Sequence, residues 1–346
     1  MLNDLQLQNF RCFESLSLQL GKGFNFLLGP NGEGKTSILE GACVLLRLQS
    51  QRSATLAPMI KLGTKFFALG GKHDGHLLEF RYGGLRRKLM FDHVEQRRAT
   101  EYLGTARVVS FANTDIEIVR GSSEMRRRYL DFVGSQIEAR YRPALRAFER
   151  ALRSRNALLK STPPRLRELA AYDRPLLEHG TELSVLRRSI AARLAPFVAD
   201  AYKEISNARE RIDLYFSPGN SEDFAADLAR SRSEEARLRQ TVVGPHRDDI
   251  DLFVDGMSAQ LYASEGQQRT LALALKIGQA RLFGAEGNMP LLLIDDVFGE
   301  LEPARRNSFL DALPPDSQKL VTSTTRQWRE NLDGPVFRLQ DRNVIK

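Results

Sequence analysis

The chain has 346 residues, 42% of them hydrophobic and 27% charged, and a net charge of +8. That length and balance describe a soluble globular protein with a large core and more than one lobe, and the positive charge favours a polyanionic partner, nucleic acid first. No apolar run reaches the length of a membrane span, and the opening Met1-Leu2-Asn3-Asp4-Leu5-Gln6 has no basic segment leading into an apolar block, so a chain neither secreted nor embedded is expected.

Cys12 and Cys43 are the only cysteines and have no metal-ligand spacing, which points to reduced, buried thiols in a cytoplasmic protein. Leu5 and Leu7, then Leu16, Leu18 and Leu20, alternate with polar residues and predict two half-buried strands. Between them lies Asn9-Phe10-Arg11-Cys12-Phe13, where Arg11 reads either as a solvated turn residue or as a contact to a nucleotide. The apolar run Phe24 to Leu28 predicts a short buried strand, and Ser37 to Leu46 has helical spacing.

Between that strand and that helix stands Gly29-Pro30-Asn31-Gly32-Glu33-Gly34-Lys35-Thr36. The spacing G-x-x-x-x-G-K-T lets backbone N–H groups turn inward around a triphosphate, because glycine tolerates the required φ values and allows close approach. Gly29, Asn31, Gly32, Glu33, Gly34 and Ser37 then surround phosphate, Lys35 meets the β- and γ-phosphates, and Thr36 meets a magnesium ion at the helix N-terminus. An ordinary strand-to-helix turn is the bland alternative.

Leu77 to Tyr82, the Gly83-Gly84 turn and Leu85 to Phe91 predict a hairpin, made basic by Arg81, Arg86, Arg87 and Lys88. From Asp115 the period-2 pattern disappears until about residue 212. Tyr141, Leu145, Phe148, Leu152 and Leu159 recur at helical spacing, with Arg142, Arg146, Arg150 and Arg153 on a neighbouring face. Leu183, Leu186, Ile190, Leu194 and Phe197 mark a second long helix beyond the Thr162-Pro163-Pro164 break. The simplest arrangement is a helical hairpin inserted into an α/β core. Its arginine face is either a solvated surface or a contact to nucleic-acid phosphates.

Strand signals return with Ile212 to Phe216, and Ile250, Leu252 and Val254 alternate into an Asp255-Gly256 turn. His246, in Gly244-Pro245-His246-Arg247-Asp248-Asp249, has no second histidine or cysteine at ligand spacing, so a structural or positioning role is expected. Ser264-Glu265-Gly266-Gln267 opens a helix carrying Leu271, Leu273, Leu275, Ile277 and Leu282, with Ser264 as its N-cap. Pro290 to Asp296 reads as a buried strand ending in two carboxylates. There Asp295 would meet the magnesium ion and Asp296 would polarise the attacking water.

Phosphate loop, S-x-G-Q helix, acid-terminated strand and Glu300-Leu301-Glu302, in that order, resemble the ATP-binding-cassette heads of chromosome-maintenance and repair ATPases, and within them the RecF family of bacterial recombination mediators. Asn9-Phe10-Arg11, the Gly121 to Asp131 segment with Arg126-Arg127-Arg128, and Gly244 to Asp249 resemble further segments of that family. The chain departs from the family at Glu33, where a small residue or Gln is usual, at Asn113, near where a proline is common, and at Gly299-Glu300-Leu301-Glu302, where Ser-Glu-Leu-Asp is typical. Thr322-Ser323-Thr324 stands where transporter cassettes carry a histidine, and no γ-phosphate sensor is assigned there.

The resemblance implies an α/β P-loop cassette head with an antiparallel β-subdomain and an inserted α-helical lobe: residues 1–115 and 212–346 forming the head, 116–211 the lobe. It implies ATP and Mg2+ as ligands, and a homodimer in which Ser264, Gly266 and Gln267 act in trans on the partner's nucleotide. It also implies weak DNA-dependent hydrolysis, with Lys35, Asp295 and Asp296 as the catalytic residues, and a RecR-like mediator and a recombinase as partners. DNA contact by Arg142, Arg146, Arg150 and Arg153 is read from the net charge and the arginine face, not from the resemblance. An ATP-dimerised scaffold with vestigial hydrolysis is the alternative reading. A transporter subunit is disfavoured by the arginine-rich insertion, and a phosphotransferase would need no S-x-G-Q helix.

Overall fold

The apolar runs at Phe24–Leu28 and Leu291–Asp295 become strands of one sheet, separated by Lys319–Ser323. In the computed structural model, which describes residues 1–53, 55–84, 86–206, 210–324 and 332–345, this sheet lies in the first of two compact units. That unit comprises Met1–Asp115, Glu204–Ser206 and Gln279–Lys346, and the second comprises Ile116–Lys203 and Asn207–Gly278. The sheet has six strands in the order Asn343–Ile345, Val336–Gln340, Phe24–Leu28, Lys319–Ser323, Leu291–Asp295 and Val108–Ala112. All neighbours are parallel except the first pair. A parallel sheet is covered on both faces, which is why its strands read as continuous apolar runs: Phe26, Leu27, Val108, Val109, Leu292, Leu293, Ile294, Leu320 and Val321 are all buried.

A second six-stranded sheet in the same unit is antiparallel and runs Phe13–Gln19, Asp4–Phe10, Phe67–His73, His76–Gly83, Arg86–Phe91, Val94–Glu95. Its alternation is that of a sheet with one dry face: Leu5, Leu7, Leu16, Leu18, Leu69 and Phe80 are buried. The expected basic hairpin is present, with Arg81 opposite Lys88, although Leu85 lies outside the described residues. Helix Lys35–Arg47 packs against this sheet so closely that a Cβ on Gly41 would come within 2.6 Å of the Leu7 side chain.

The second unit joins helices Ser123–Ile137, Tyr141–Lys160 and most of Ala170–Ser206 to a three-stranded sheet, Ile212–Ser217, Asp249–Val254 and Met257–Ser258. Helix Glu265–Ala285 belongs to it as far as Gly278. The inserted helices and residues 212–278 therefore share one compact unit, and buried charge networks tie them together. Helix Tyr141–Lys160 buries Tyr141, Ala144, Phe148, Ala151, Arg155 and Leu159, leaving Leu145 and Leu152 half-buried on its flank. The fully buried Arg155 guanidinium donates to both Glu235 oxygens at 2.8 and 2.6 Å, to the Thr241 hydroxyl at 2.7 Å and to Asp173 at 3.0 Å. Removing one partner of such a pair strands a buried charge, at a cost of about 3–5 kcal/mol.

The Gly121–Asp131 and Gly244–Asp249 segments meet in the same way. Arg126 grips Asp249 at 2.6 and 2.9 Å, Arg127 donates to the Asp248 carbonyl at 2.8 Å, and Arg187 joins Asp131 to Asp248 at 2.8 and 2.9 Å. These two stretches are thus one structural contact. His246 belongs to this framework too: a ring nitrogen lies 2.9 Å from the Thr241 carbonyl, and burial pushes its pKa down to about 4.

Candidate nucleotide site

Strand register brings the site together. In the parallel sheet Asp295 pairs with Thr322, which pairs with Leu27, so the phosphate-loop strand and the acid-bearing strand end side by side with Thr322 between them. The Thr36 hydroxyl donates to Asp295 Oδ1 at 2.8 Å and the Thr322 hydroxyl donates to the same oxygen at 2.8 Å. Thr322 also accepts the Asp296 N–H at 3.0 Å, while the Asn113 amide donates to the Asp296 carbonyl at 3.3 Å. Asp296 has φ 52°, a left-handed conformation that costs an acidic residue free energy and is held from both its N–H and its carbonyl.

The loop itself turns on glycine. Gly34 has φ 92°, and a Cβ there would lie 2.6 Å from Cys12 Sγ, so this position needs both the backbone freedom and the missing side chain. Lys35 is buried, and its ammonium donates to the Gly29 and Pro30 carbonyls at 2.5 and 2.8 Å. Burial pulls its pKa below the usual lysine value, against the opposing pull of Asp296, Asp295 and Glu33. Arg11, with φ 54°, is no freely solvated turn residue: its guanidinium makes a two-point pair with Glu40 at 2.7 and 2.9 Å and donates to the Pro58 carbonyl at 3.0 Å.

A cavity of about 640 Å³ opens over the loop, a size suited to a nucleotide. Arg11, Asn31, Gly32, Gly34, Lys35, Thr36, Ser37, Asp295 and Asp296 all line it. Gly29 and Glu33 are not among its lining residues. Gly29 lies against strand Val336–Gln340, and Glu33 accepts a backbone hydrogen bond from Arg342. Sequence reasoning assigned no site role to four contributors: Cys12, Thr322, the rim of Pro58, Ile60, Lys61 and Leu62, and Arg342. Thr322 carried a legible signal, a hydroxyl directly after the buried Leu320-Val321 pair of strand Lys319–Ser323. The rim and Arg342 carried none.

Ser264, Gly266 and Gln267 lie in the second unit, at the start of helix Glu265–Ala285. Ser264 Oγ accepts the Gln267 N–H at 3.3 Å and Gln267 Oε1 accepts the Ser264 N–H at 2.7 Å, a capping box that explains the residue pair without any ligand. Gln267 also donates to Glu210 at 2.7 Å. On helix Tyr141–Lys160, Arg146, Arg150 and Arg153 are exposed and Arg142 is half-buried, while Arg153 lies 3.7 Å from Glu149. The Glu300 side chain lies outside the described residues. Among the described residues no group of three or more His, Cys, Asp or Glu could hold a metal, and no helix is long and apolar enough to cross a membrane.

Fold and site together define an α/β nucleotide-binding protein of the ATP-binding-cassette head class. Residues 4–67 match a family model described as an AAA domain. The chain is 36% identical to the DNA replication and repair protein RecF of Symbiobacterium thermophilum, over 99% of this chain and 98% of the relative. It belongs to the RecF family. A solved structure of the recombination mediator protein RecF with ATPrS, from the RecFOR pathway, superposes with a TM-score of 0.89 at 27% identity, covering 99% of this chain and 97% of that one. An Smc head from Pyrococcus furiosus, bound to the C-terminal domain of ScpA, shares the fold with a TM-score of 0.56 at 14% identity, covering 99% and 94% of the two chains.

Proposed function

We propose that this chain is an ATP-gated, DNA-binding ATPase of recombinational repair and replication-fork maintenance. The observation that carries the reading is the hydrogen-bonded set Thr36–Asp295–Thr322, which joins the phosphate loop to the acid strand within one cavity. Lys35, now bonded to loop carbonyls, turns to the β- and γ-phosphates. The Asp296 carboxylate orients the water that attacks the γ-phosphorus, and ADP leaves with the oxygen that bridged the two phosphates.

The Thr36 hydroxyl and the Asp295 carboxylate fit Mg2+, an ion that takes one or two protein oxygens and completes its shell with phosphate and water, so a protein-only metal cluster is not required. Bound there, Mg2+ neutralises charge on the phosphates. The chain carries one phosphate loop and one Ser-Glu-Gly-Gln start, so a complete site takes Ser264, Gly266 and Gln267 from a second copy. ATP then holds a homodimer together and hydrolysis releases it.

The net charge of +8, the arginine face at 142–153 and the basic hairpin support contact with DNA phosphates, at gaps or single-strand/duplex junctions and without base-specific readout. By family, a RecR-like mediator and a recombinase are its partners in the cytoplasm, and residues 1–115 and 212–346 form the functional head to which 116–211 is the inserted lobe, although residues 212–278 pack in one compact unit with the inserted helices. Glu33 in the phosphate loop favours a second reading, a scaffold that ATP dimerises without useful hydrolysis.

The test is the mass in solution with magnesium, with and without ATP, for the wild type, Lys35→Met, Ser264→Arg and Asp296→Asn, with labelled gapped duplex in parallel. The gated clamp predicts an ATP-dependent dimer that the first two variants abolish and Asp296→Asn prolongs, and that binds gapped duplex more tightly than the monomer does. A chain that stays monomeric in saturating ATP refutes it. A dimer that is no longer-lived in Asp296→Asn and gains no DNA affinity selects the scaffold.

A further inference from the structure

An acid in a phosphate loop opposes a polyanionic ligand, and Glu33 is such an acid. Its carboxylate accepts the backbone N–H of Arg342 at 2.7 Å. Arg342 is the second residue of the two-residue turn between Val336–Gln340 and Asn343–Ile345, in which Gln340 pairs with Asn343. Both turn residues, Asp341 and Arg342, have positive φ, 52° and 61°. Turns of that shape ordinarily use Asn-Gly, and two residues with side chains hold it only where the surroundings fix them. The strand leading into the turn is pressed against the loop: a Cβ on Gly29 would lie 2.5 Å from the Leu339 carbonyl oxygen. Arg342 lines the same cavity as Asn31, Lys35 and Asp296.

From these contacts we infer that Arg342 binds the terminal phosphates of the nucleotide held by its own chain, and that Glu33 is the positioning residue that fixes the Arg342 turn beside the loop. The inference rests on the nucleotide reading of the cavity and adds to it a phosphate ligand from the far end of the chain. A guanidinium supplies forked donors that match phosphate oxygens, and its charge offsets the one that Glu33 brings to the loop. The departure at Glu33 and the left-handed Asp341-Arg342 turn are two halves of one device. Glu33 acts through its oxygen acceptor, so its charge is dispensable while its acceptor is not.

The experiment measures affinities of labelled ATP, ADP and AMP, with magnesium, for the full chain as wild type, Arg342→Ala, Arg342→Lys, Glu33→Gln, Glu33→Ala and the double alanine variant. Loss of one charge-assisted contact predicts about tenfold weaker ATP binding in Arg342→Ala, with AMP binding unmoved and partial rescue in Arg342→Lys. Glu33→Gln keeps the acceptor and retains ATP affinity. Glu33→Ala weakens ATP, and the double variant is no weaker than Arg342→Ala. An unchanged ATP-to-AMP affinity ratio in Arg342→Ala, an equal fall for both nucleotides, or tighter ATP binding in Glu33→Ala overturns the inference while leaving the nucleotide site standing. A wild type that binds no ATP removes both.

Discussion

The Thr322 hydroxyl spends its proton on Asp295 and its lone pair on the Asp296 N–H, so one small side chain sets the attitude of both acids. Thr322→Val keeps the shape of the buried strand and removes both bonds, leaving the Asp296 amide without that acceptor. Turnover is expected to fall about tenfold or more while ATP affinity stays within about twofold, measured by steady-state hydrolysis beside equilibrium nucleotide binding. An equal loss in both would mean that Thr322 serves only the fold. His246 gives a stability prediction. Its folded pKa of about 4 lies below the unfolded value of 6.5, so between these values the unfolded chain binds the extra proton. The stabilisation is therefore complete above pH 6.5 and is lost as pH falls toward 4, by about 2 kcal/mol once partial exposure is discounted. Denaturant titrations at pH 7 and 4.5 should show a shallower loss in His246→Phe than in the wild type.

At the scale of elements, two basic faces are candidates for the contact with DNA phosphates proposed above. One is the exposed side of helix Tyr141–Lys160, with Arg146, Arg150 and Arg153. The other is the hairpin, where register puts Arg86 and Lys88 on the same sheet face as Arg81, and the Arg81 guanidinium is stacked 3.7 Å from the centre of the Phe66 ring. A stacked guanidinium has already lost part of its freedom, which favours the hairpin. Lys88 lies 3.8 Å from Glu95 and Arg153 is near Glu149, so neither face is free of acid. Each phosphate contact removed should lower the slope of log affinity against log salt by about 0.9 on duplex. The triple variant Arg81→Ala, Arg86→Ala, Lys88→Ala is expected to flatten that slope more than Arg146→Ala, Arg150→Ala, Arg153→Ala. The reverse order would assign the backbone to the helix.

For the whole molecule, the groups proposed to bind nucleotide belong to one compact unit and the Ser264-Gly266-Gln267 helix start to the other. Hydrogen exchange can follow each. At protein concentrations too low for association, ATP is expected to protect amides in 24–47 and 291–296 and to leave 264–268 unchanged. Raising the concentration should extend protection to 264–268 through the second copy. Protection of 264–268 at every concentration would mean that this helix start responds to nucleotide within one chain.

The sequence by itself determined the chemistry that resides in local spacing. G-x-x-x-x-G-K-T, the apolar runs of the parallel strands, the Gly83-Gly84 hairpin and the Ser264 cap each depend on backbone geometry within a few residues, and such geometry is written in neighbouring side chains. Tertiary structure alone decided which distant groups share a site. Thr322 meets Thr36 and Asp295 because three strands are in register, and Arg342 meets Glu33 because strand Val336–Gln340 pairs with Phe24–Leu28. The same holds for Arg155 and Arg187. They stand among many arginines in helical segments, and their burial follows from acids that come from elsewhere in the chain: Glu235 and Asp173 for one, Asp131 and Asp248 for the other. Pairing across long sequence separations is set by packing free energy summed over whole elements, and no single residue carries that sum in its identity.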